Sequence, residues 1–128
     1  MTTHRILVVE DNERNLKLVR DVLQYAGYEI IEARTGELGV KLARECSPHL
    51  VLMDLQLPGI DGEQAMRHLR DDDRTRRIPV VALTASAMKD DRARILQAGF
   101  DGYLEKPISV RDLPGQVLAF MTGRETSR

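Results

Sequence analysis

The stretch LVLMDLQLPGIDG (residues 50–62) sets a carboxylate, Asp54, directly after four apolar residues and shortly before a Pro-Gly turn. An unbroken apolar run of this length reads as a strand covered on both faces, the kind found in parallel sheets. An acid at the end of such a strand is costly to bury unless something there uses its charge. What stands around Asp54 in the fold therefore decides what the chain does.

Working outward, short β-branched runs alternate with longer segments of helical spacing. ILVV (6–9) precedes Asn12 as an N-cap and Leu16, Val19 and Leu23 on one stripe, with a helix end near Gly27. YEII (28–31) precedes Thr35 as a cap, a pattern through Leu38 and Leu42, and a break at Ser47-Pro48. After LVLM (50–53), a third helix starts near Asp61, carries Ala65, Met66 and Leu69, and finishes before the charged run RDDDRTRR (70–77). PVVAL (79–83) leads into a helix with Ile95 and Leu96 that Gly99 closes. GYLE (102–105) is the fifth strand, and Ser109 with Asp112 resembles a capping box ahead of Val110, Leu113, Val117 and Met121. Pro114 would break the ladder of that last helix, so a kink or a later start is expected. The pattern is (βα)5, an α/β doubly wound parallel sheet with helices on both faces. One domain is expected over residues 1–121, with a frayed tail at 122–128.

Composition bounds the function. With 42% hydrophobic and 30% charged residues the chain is an ordinary globular sequence, and 19 basic against 20 acidic residues give no electrostatic reason to expect nucleic acid or a membrane as partner. The lone Cys46 forms no internal disulfide, no signal-peptide pattern precedes the first strand, and the apolar runs are too short to span a bilayer; a cytoplasmic protein is expected.

In an open parallel sheet, ligands bind outside the carboxyl ends of the strands. Those ends carry Glu10-Asp11, Asp54, Thr84, and Lys106 before Pro107. Three carboxylates in one crevice repel one another and must take up protons or share a cation. Hard oxygen donors without cysteine or histidine favour Mg²⁺, which pairs one or two carboxylates with phosphate oxygens. Lys106 and Thr84 can then hold phosphoryl oxygens, and Asp54 can act as an in-line nucleophile forming an acyl phosphate, with the following QLPG loop offering carbonyls to the ion.

VVEDN, LVLMDLQLPGIDG, VVALTASA and GYLEKPIS, in this order across residues 5–121, closely resemble the receiver domains of two-component response regulators, of the CheY-like superfamily. VVEDNERNLKL and TASAMKDD look most like stand-alone receivers of the DivK type, which govern cell division and polarity. The resemblance implies a flavodoxin-like sheet of order 2-1-3-4-5. It also implies that Asp54 accepts a phosphoryl group from a sensor histidine kinase or histidine phosphotransfer protein. Asp11, Asp54 and the Gln56 carbonyl would bind Mg²⁺, with Glu10 acting through water; Thr84 and Lys106 would hold phosphoryl oxygens. The Lys106-Pro107 bond would be cis, and Tyr103 would be the switch aromatic. Helix 4, strand 5 and helix 5 would form the face that meets a downstream protein partner. Glu10 stands where the family more often has aspartate, and Pro114-Gly115 leaves the shape of the output face open.

Plainer readings compete. A lone acid at a strand end is usually a satisfied cap, Tyr103 could be simple packing, RDDDRTRR reads as a solvated loop, and His4, His49 and His68 share no motif. A receiver cut from a hybrid kinase or DNA-binding regulator is the alternative to a stand-alone switch; the latter is favoured because the sequence ends soon after helix 5. A phosphatase with an aspartyl-phosphate intermediate would carry a second acid two residues after the nucleophile, where Gln56 stands. No glycine-rich turn in VVEDNERN suits a dinucleotide. The expectation is a phosphoacceptor that catalyses its own phosphorylation and dephosphorylation but turns over no separate substrate.

Overall fold

The computed structural model describes residues 4–122. Five strands, β1 (Arg5–Val9), β2 (Glu29–Ala33), β3 (Leu50–Asp54), β4 (Val80–Thr84) and β5 (Gly102–Glu105), alternate with α1 (Glu13–Tyr25), α2 (Gly36–Cys46), α3 (Gly62–Arg70), α4 (Lys89–Ala98) and α5 (Leu113–Thr122). The strands pair in parallel in the order β2-β1-β3-β4-β5, as the resemblance implies. Except at Thr122, the expected frayed tail lies outside the described residues.

The period-2 geometry of a strand explains why β3 reads as continuously apolar. Its alternate side chains go to two different cores. Leu7, Val9, Val51, Met53, Val80 and Ala82 pack beneath α2, α3 and α4, while Ile6, Val8, Leu50, Leu52, Val81 and Leu83 pack beneath α1 and α5. With all five residues of β3 buried, its ends are the only places where a polar side chain can reach an opening.

Caps fall where the sequence puts them for the first three helices. Asn12 accepts from the Asn15 amide, Thr35 from Leu38, and Asp61 and Gln64 form a reciprocal capping box. Elsewhere the structure departs from expectation. β2 begins and ends later than YEII, after Gly27 turns the chain at φ 102. In α2 the buried face is Gly36, Gly39, Val40 and Ala43, while Leu38 is exposed, because a Cβ on Gly39 would come within 2.7 Å of Val9 Cγ2. The Val9 side chain packs directly on the helix backbone there, so glycine rather than leucine marks the contact. α5 starts at Leu113, the later start expected from Pro114, which supplies no amide; Ser109 and Asp112 do exchange hydrogen bonds, but Val110, expected on the stripe, stays exposed.

The charged run after α3 is more than a solvated loop. The Arg70 guanidinium donates to the carbonyls of Arg76, Ile78 and Gly99 and to Asp101 Oδ2, which also accepts from the Val80 amide. Buried Thr75 donates to the Leu69 carbonyl at 2.7 Å. These bonds tie the end of α3 to the entries of β4 and β5.

Gly62 opens α3 against the end of β3: a Cβ there would lie 2.2 Å from the Asp54 carbonyl oxygen and 2.9 Å from Leu55 Cα. Both are backbone atoms, so the clash cannot be relieved by a rotamer change. Gly62→Ala is expected to lower the unfolding free energy by about 1–3 kcal/mol, the range for overpacking. Gly115→Ala, with nothing within 4 Å of its Cβ, should be neutral or slightly stabilising. Urea unfolding of the two variants checks the contrast, and equal midpoints would contradict it.

Candidate functional site

Register delivers the acids to one edge. Val9 pairs with Met53, so Glu10, one residue beyond, comes level with Asp54; Asp54 in turn pairs with Leu83, one residue short of Thr84, and Thr84 pairs with Glu105, one residue short of Lys106. Four sequence-predicted strand ends therefore meet at one rim. Glu10, Asp11 and Asp54 each present a carboxylate oxygen within 4.8 Å of the others.

The electrostatics are those of a crowded anionic site with one cation in it. Glu10 is fully buried, Asp54 is 4% exposed, and Lys106 Nζ lies 3.0 Å from Glu10 Oε1 and 3.1 Å from Asp54 Oδ2. Backbone amides take the other oxygens: Asn12 donates to Glu10 Oε2 at 3.2 Å and Gln56 to Asp54 Oδ1 at 3.1 Å. Glu10 Oε1 is within ion-pair distance of Lys106 but has no well-aligned hydrogen bond. Desolvation first, and then the neighbouring Asp54 carboxylate, raise the Glu10 pKa from 4.5 to about 7 against the lowering effect of Lys106. Burial alone would lower the Lys106 pKa, but Glu10 and Asp54 outweigh it and hold the ammonium above its ordinary value. A single ammonium does not offset two buried carboxylates together with Asp11 beside them.

These donors fit a hard divalent ion: they are all oxygens, they converge, and a buried carboxylate oxygen among them lacks an aligned donor. The opposite side of the crevice is built from β4 and α4. Thr84 Oγ1 donates to the Ser86 carbonyl at 2.8 Å and accepts from the Ser86 amide at 3.1 Å, and Ser86 Oγ donates to Asp91 Oδ2 at 2.6 Å. Lys106 is locked into the rim by its amide, which donates to the Thr84 carbonyl, and it precedes a cis bond to Pro107. Tyr103 is half-buried on β5, packed against the α2–α4 core, and lines a cavity of about 440 Å³ between β5 and α5. It lies apart from the carboxylates and does not share their pocket.

Sequence reasoning missed Gly62, Ser86, Asp91 and Arg94. Gly62 supports the Asp54 backbone, and its signal was the Asp-Gly step at the start of a helix. The other three line the cavity beside Asp54. Of these, only Ser86, two residues past a strand end, could have been suspected from position.

Residues 6–118 match the response regulator receiver domain family. The chain belongs to that family. A relative in Brucella ovis, the polar-differentiation response regulator DivK, is 50% identical over 108 residues, covering 84% of this chain and 88% of the relative. Among solved structures, the receiver domain of a sensor histidine kinase from Pseudomonas aeruginosa, with a magnesium ion coordinated in its active site cleft, superposes with TM-score 0.86 at 35% identity, covering 94% of this chain and 99% of the other. The chemotaxis response regulator CheY4 of Vibrio cholerae shares the fold, with TM-score 0.88 at 23% identity over 93% of this chain and 99% of its own. The protein is thus a receiver of two-component signalling with a flavodoxin-like fold, a signalling protein rather than a substrate-turnover enzyme. No helix among the described residues is long and apolar enough to cross a membrane.

The raised Glu10 pKa has a consequence for stability. Between about pH 4.5 and pH 7 the folded chain retains a proton that the unfolded chain has released, so this group's contribution to stability falls as pH rises through that window. In EDTA, the thermal midpoint of the wild type should drop relative to Glu10→Gln between about pH 5 and pH 7.5, and millimolar Mg²⁺ should reduce the drop. Parallel pH profiles for the two proteins would show that Glu10 does not titrate in this way.

Proposed function

We propose that the receiver is a phosphorylation-dependent switch in which Asp54 takes a phosphoryl group from a sensor histidine kinase or a histidine phosphotransfer protein. An Asp54 carboxylate oxygen attacks phosphorus in line, the P–N bond to the donor imidazole breaks, and the imidazole leaves with the bonding pair. The observation that carries this reading is the meeting of Glu10, Asp54 and Lys106, from three separate parts of the chain, around one nearly buried point. Fixing the nucleophile by β3 and by the Gln56 amide contributes orientation in advance of the reaction.

Asp11, Asp54 and the Gln56 carbonyl would hold Mg²⁺, with Glu10 acting through water. When bound, the ion supplies neutralisation of charge on the phosphoryl oxygens. Lys106 exchanges its pairing with Asp54 for a phosphoryl oxygen, and Thr84 gives up its bonds to Ser86 to donate to another. The Thr84 shift frees the loop leading to α4, and Tyr103 turns inward toward the space vacated. The Lys106 amide, which donates to the Thr84 carbonyl, holds the end of β5 against β4. α4 is suited to respond: Ile95 is its single buried residue and its N-cap, Met88, makes no side-chain hydrogen bond. The output face is then α4, β5 and α5, read by a downstream protein. The acyl phosphate hydrolyses on the same site with no separate substrate, and Gln56 in place of a second acid argues against a turnover phosphatase. Such a relay operates in the cytoplasm, where kinase and phosphodonor meet.

With Mg²⁺ and acetyl phosphate, intact-protein mass spectrometry should show one added phosphoryl group that is absent in Asp54→Asn; equal labelling of the variant would move the nucleophile elsewhere. Lys106→Ala should keep the fold but break the coupling. On phosphorylation its Tyr103 amide resonance should shift far less than in the wild type, and an undiminished shift would remove Lys106 from the switch.

A further inference from the structure

The space in which a phosphodonor must dock is a cavity of about 290 Å³ that opens beside Asp54. Its wall includes Asp54, Gln56, Thr84, Ser86 and Lys106, and, from the second turn of α4, Arg94. Arg94 is exposed, and among the described residues its side chain makes no hydrogen bond or ion pair. Asp91, one turn earlier on the same wall, is the nearest candidate for pairing by sequence, yet its carboxylate accepts from Ser86 Oγ instead. The cavity thus has two cationic groups of different kinds. Lys106 is held among the carboxylates, while the Arg94 guanidinium stands uncommitted on the α4 wall.

We propose that Arg94 is a specificity-determining residue of the phosphorylation reaction, recognising the leaving group of small anionic donors and favouring acyl phosphates; this rests on Asp54 being the phosphoacceptor. In-line transfer puts the leaving group on the side of phosphorus away from Asp54, and Arg94 lines the same cavity as that nucleophile. With acetyl phosphate, the new bond forms between an Asp54 oxygen and phosphorus. The bond between phosphorus and the acyl oxygen breaks, and acetate departs with the electron pair and a full negative charge, needing no proton. A planar guanidinium matches a carboxylate with two parallel hydrogen bonds, so it attracts the charge that grows on that group during transfer. With phosphoramidate the P–N bond breaks and the nitrogen leaves as neutral ammonia after gaining a proton from solvent. Arg94 has no anion to bind in that case.

The test compares the two donors in Mg²⁺ at low ionic strength, following Asp54 phosphorylation of the full chain by mass spectrometry. Arg94→Met should slow labelling by acetyl phosphate about two- to fivefold, the effect of one exposed charge pair, while its rate with phosphoramidate stays within that of the wild type. Arg94→Lys should recover part of the acetyl phosphate rate, because it keeps the charge but loses the fork. Raising salt to about 0.5 M should shrink the difference between wild type and Arg94→Met. Equal losses with both donors, or no loss with either, would overturn the proposal while leaving Asp54 as acceptor. A wild-type chain that took no phosphoryl group from either donor would overturn both readings.

Discussion

The ammonium of Lys106, set 3.0 Å from Glu10 and 3.1 Å from Asp54, is the contact on which the rest of the site depends. Two carboxylates as buried as these repel each other by an amount that no nearby hydrogen bond to a neutral group can offset. Without the lysine, the rim of the sheet would have to protonate or open. The sheet register is what makes the arrangement affordable, because β1, β3 and β5 are fixed by buried apolar side chains on both faces long before their ends reach the rim. Energy gained in two hydrophobic cores holds three charges where they would not gather by themselves. Even so, the compensation is incomplete, as the raised Glu10 pKa and its unaligned Oε1 show. An incompletely neutralised cluster is primed to bind a further cation.

Much of this was visible in the amino-acid sequence, for a definite reason. β3 could be located because a strand covered on both faces has no polar position until it ends, so Asp54 marks its own place in the fold. The same logic located Glu10 and Thr84, whereas Lys106, beyond a partly buried edge strand, was found by its place at a strand end before Pro107. What stayed hidden was contact that leaves no hydrophobic signature. α2 buries Gly39 and Ala43 rather than Leu38, since helix and strand approach too closely for a large side chain. Arg70 lies in a run of charges that looks like a solvated loop, yet its guanidinium bridges three carbonyls and Asp101. Its role depends on where three distant loops meet, which no local pattern encodes. The late start of α5 at Leu113 was, by contrast, legible, because Pro114 removes one amide from the ladder.

α4 was the least legible helix and is also the least anchored. A helix that buries Ile95 alone has little apolar periodicity to detect and little burial energy to resist displacement. The two properties share one cause. Its first turn is positioned through polar groups, by a chain that runs from Thr84 to Ser86 and from Ser86 to Asp91. Such bonds can be exchanged for others of similar strength at small net cost, whereas a packed apolar face cannot be moved without opening a cavity.

In the proposed switch, that difference would let a small chemical change at Asp54 displace α4. Both sides of the Thr84 hydroxyl are engaged by one residue, Ser86, so the hydroxyl cannot turn toward a new anion while keeping its present partners. The two arrangements are mutually exclusive, and the loop to α4 must adopt one or the other. Lys106 is less constrained on the other side of the crevice, since its ammonium has three N–H donors and faces two carboxylates. The bond from the Lys106 amide to the Thr84 carbonyl holds the two residues side by side at the rim. In that switch the rigid part of the sheet would supply the geometry and the weakly held helix the response.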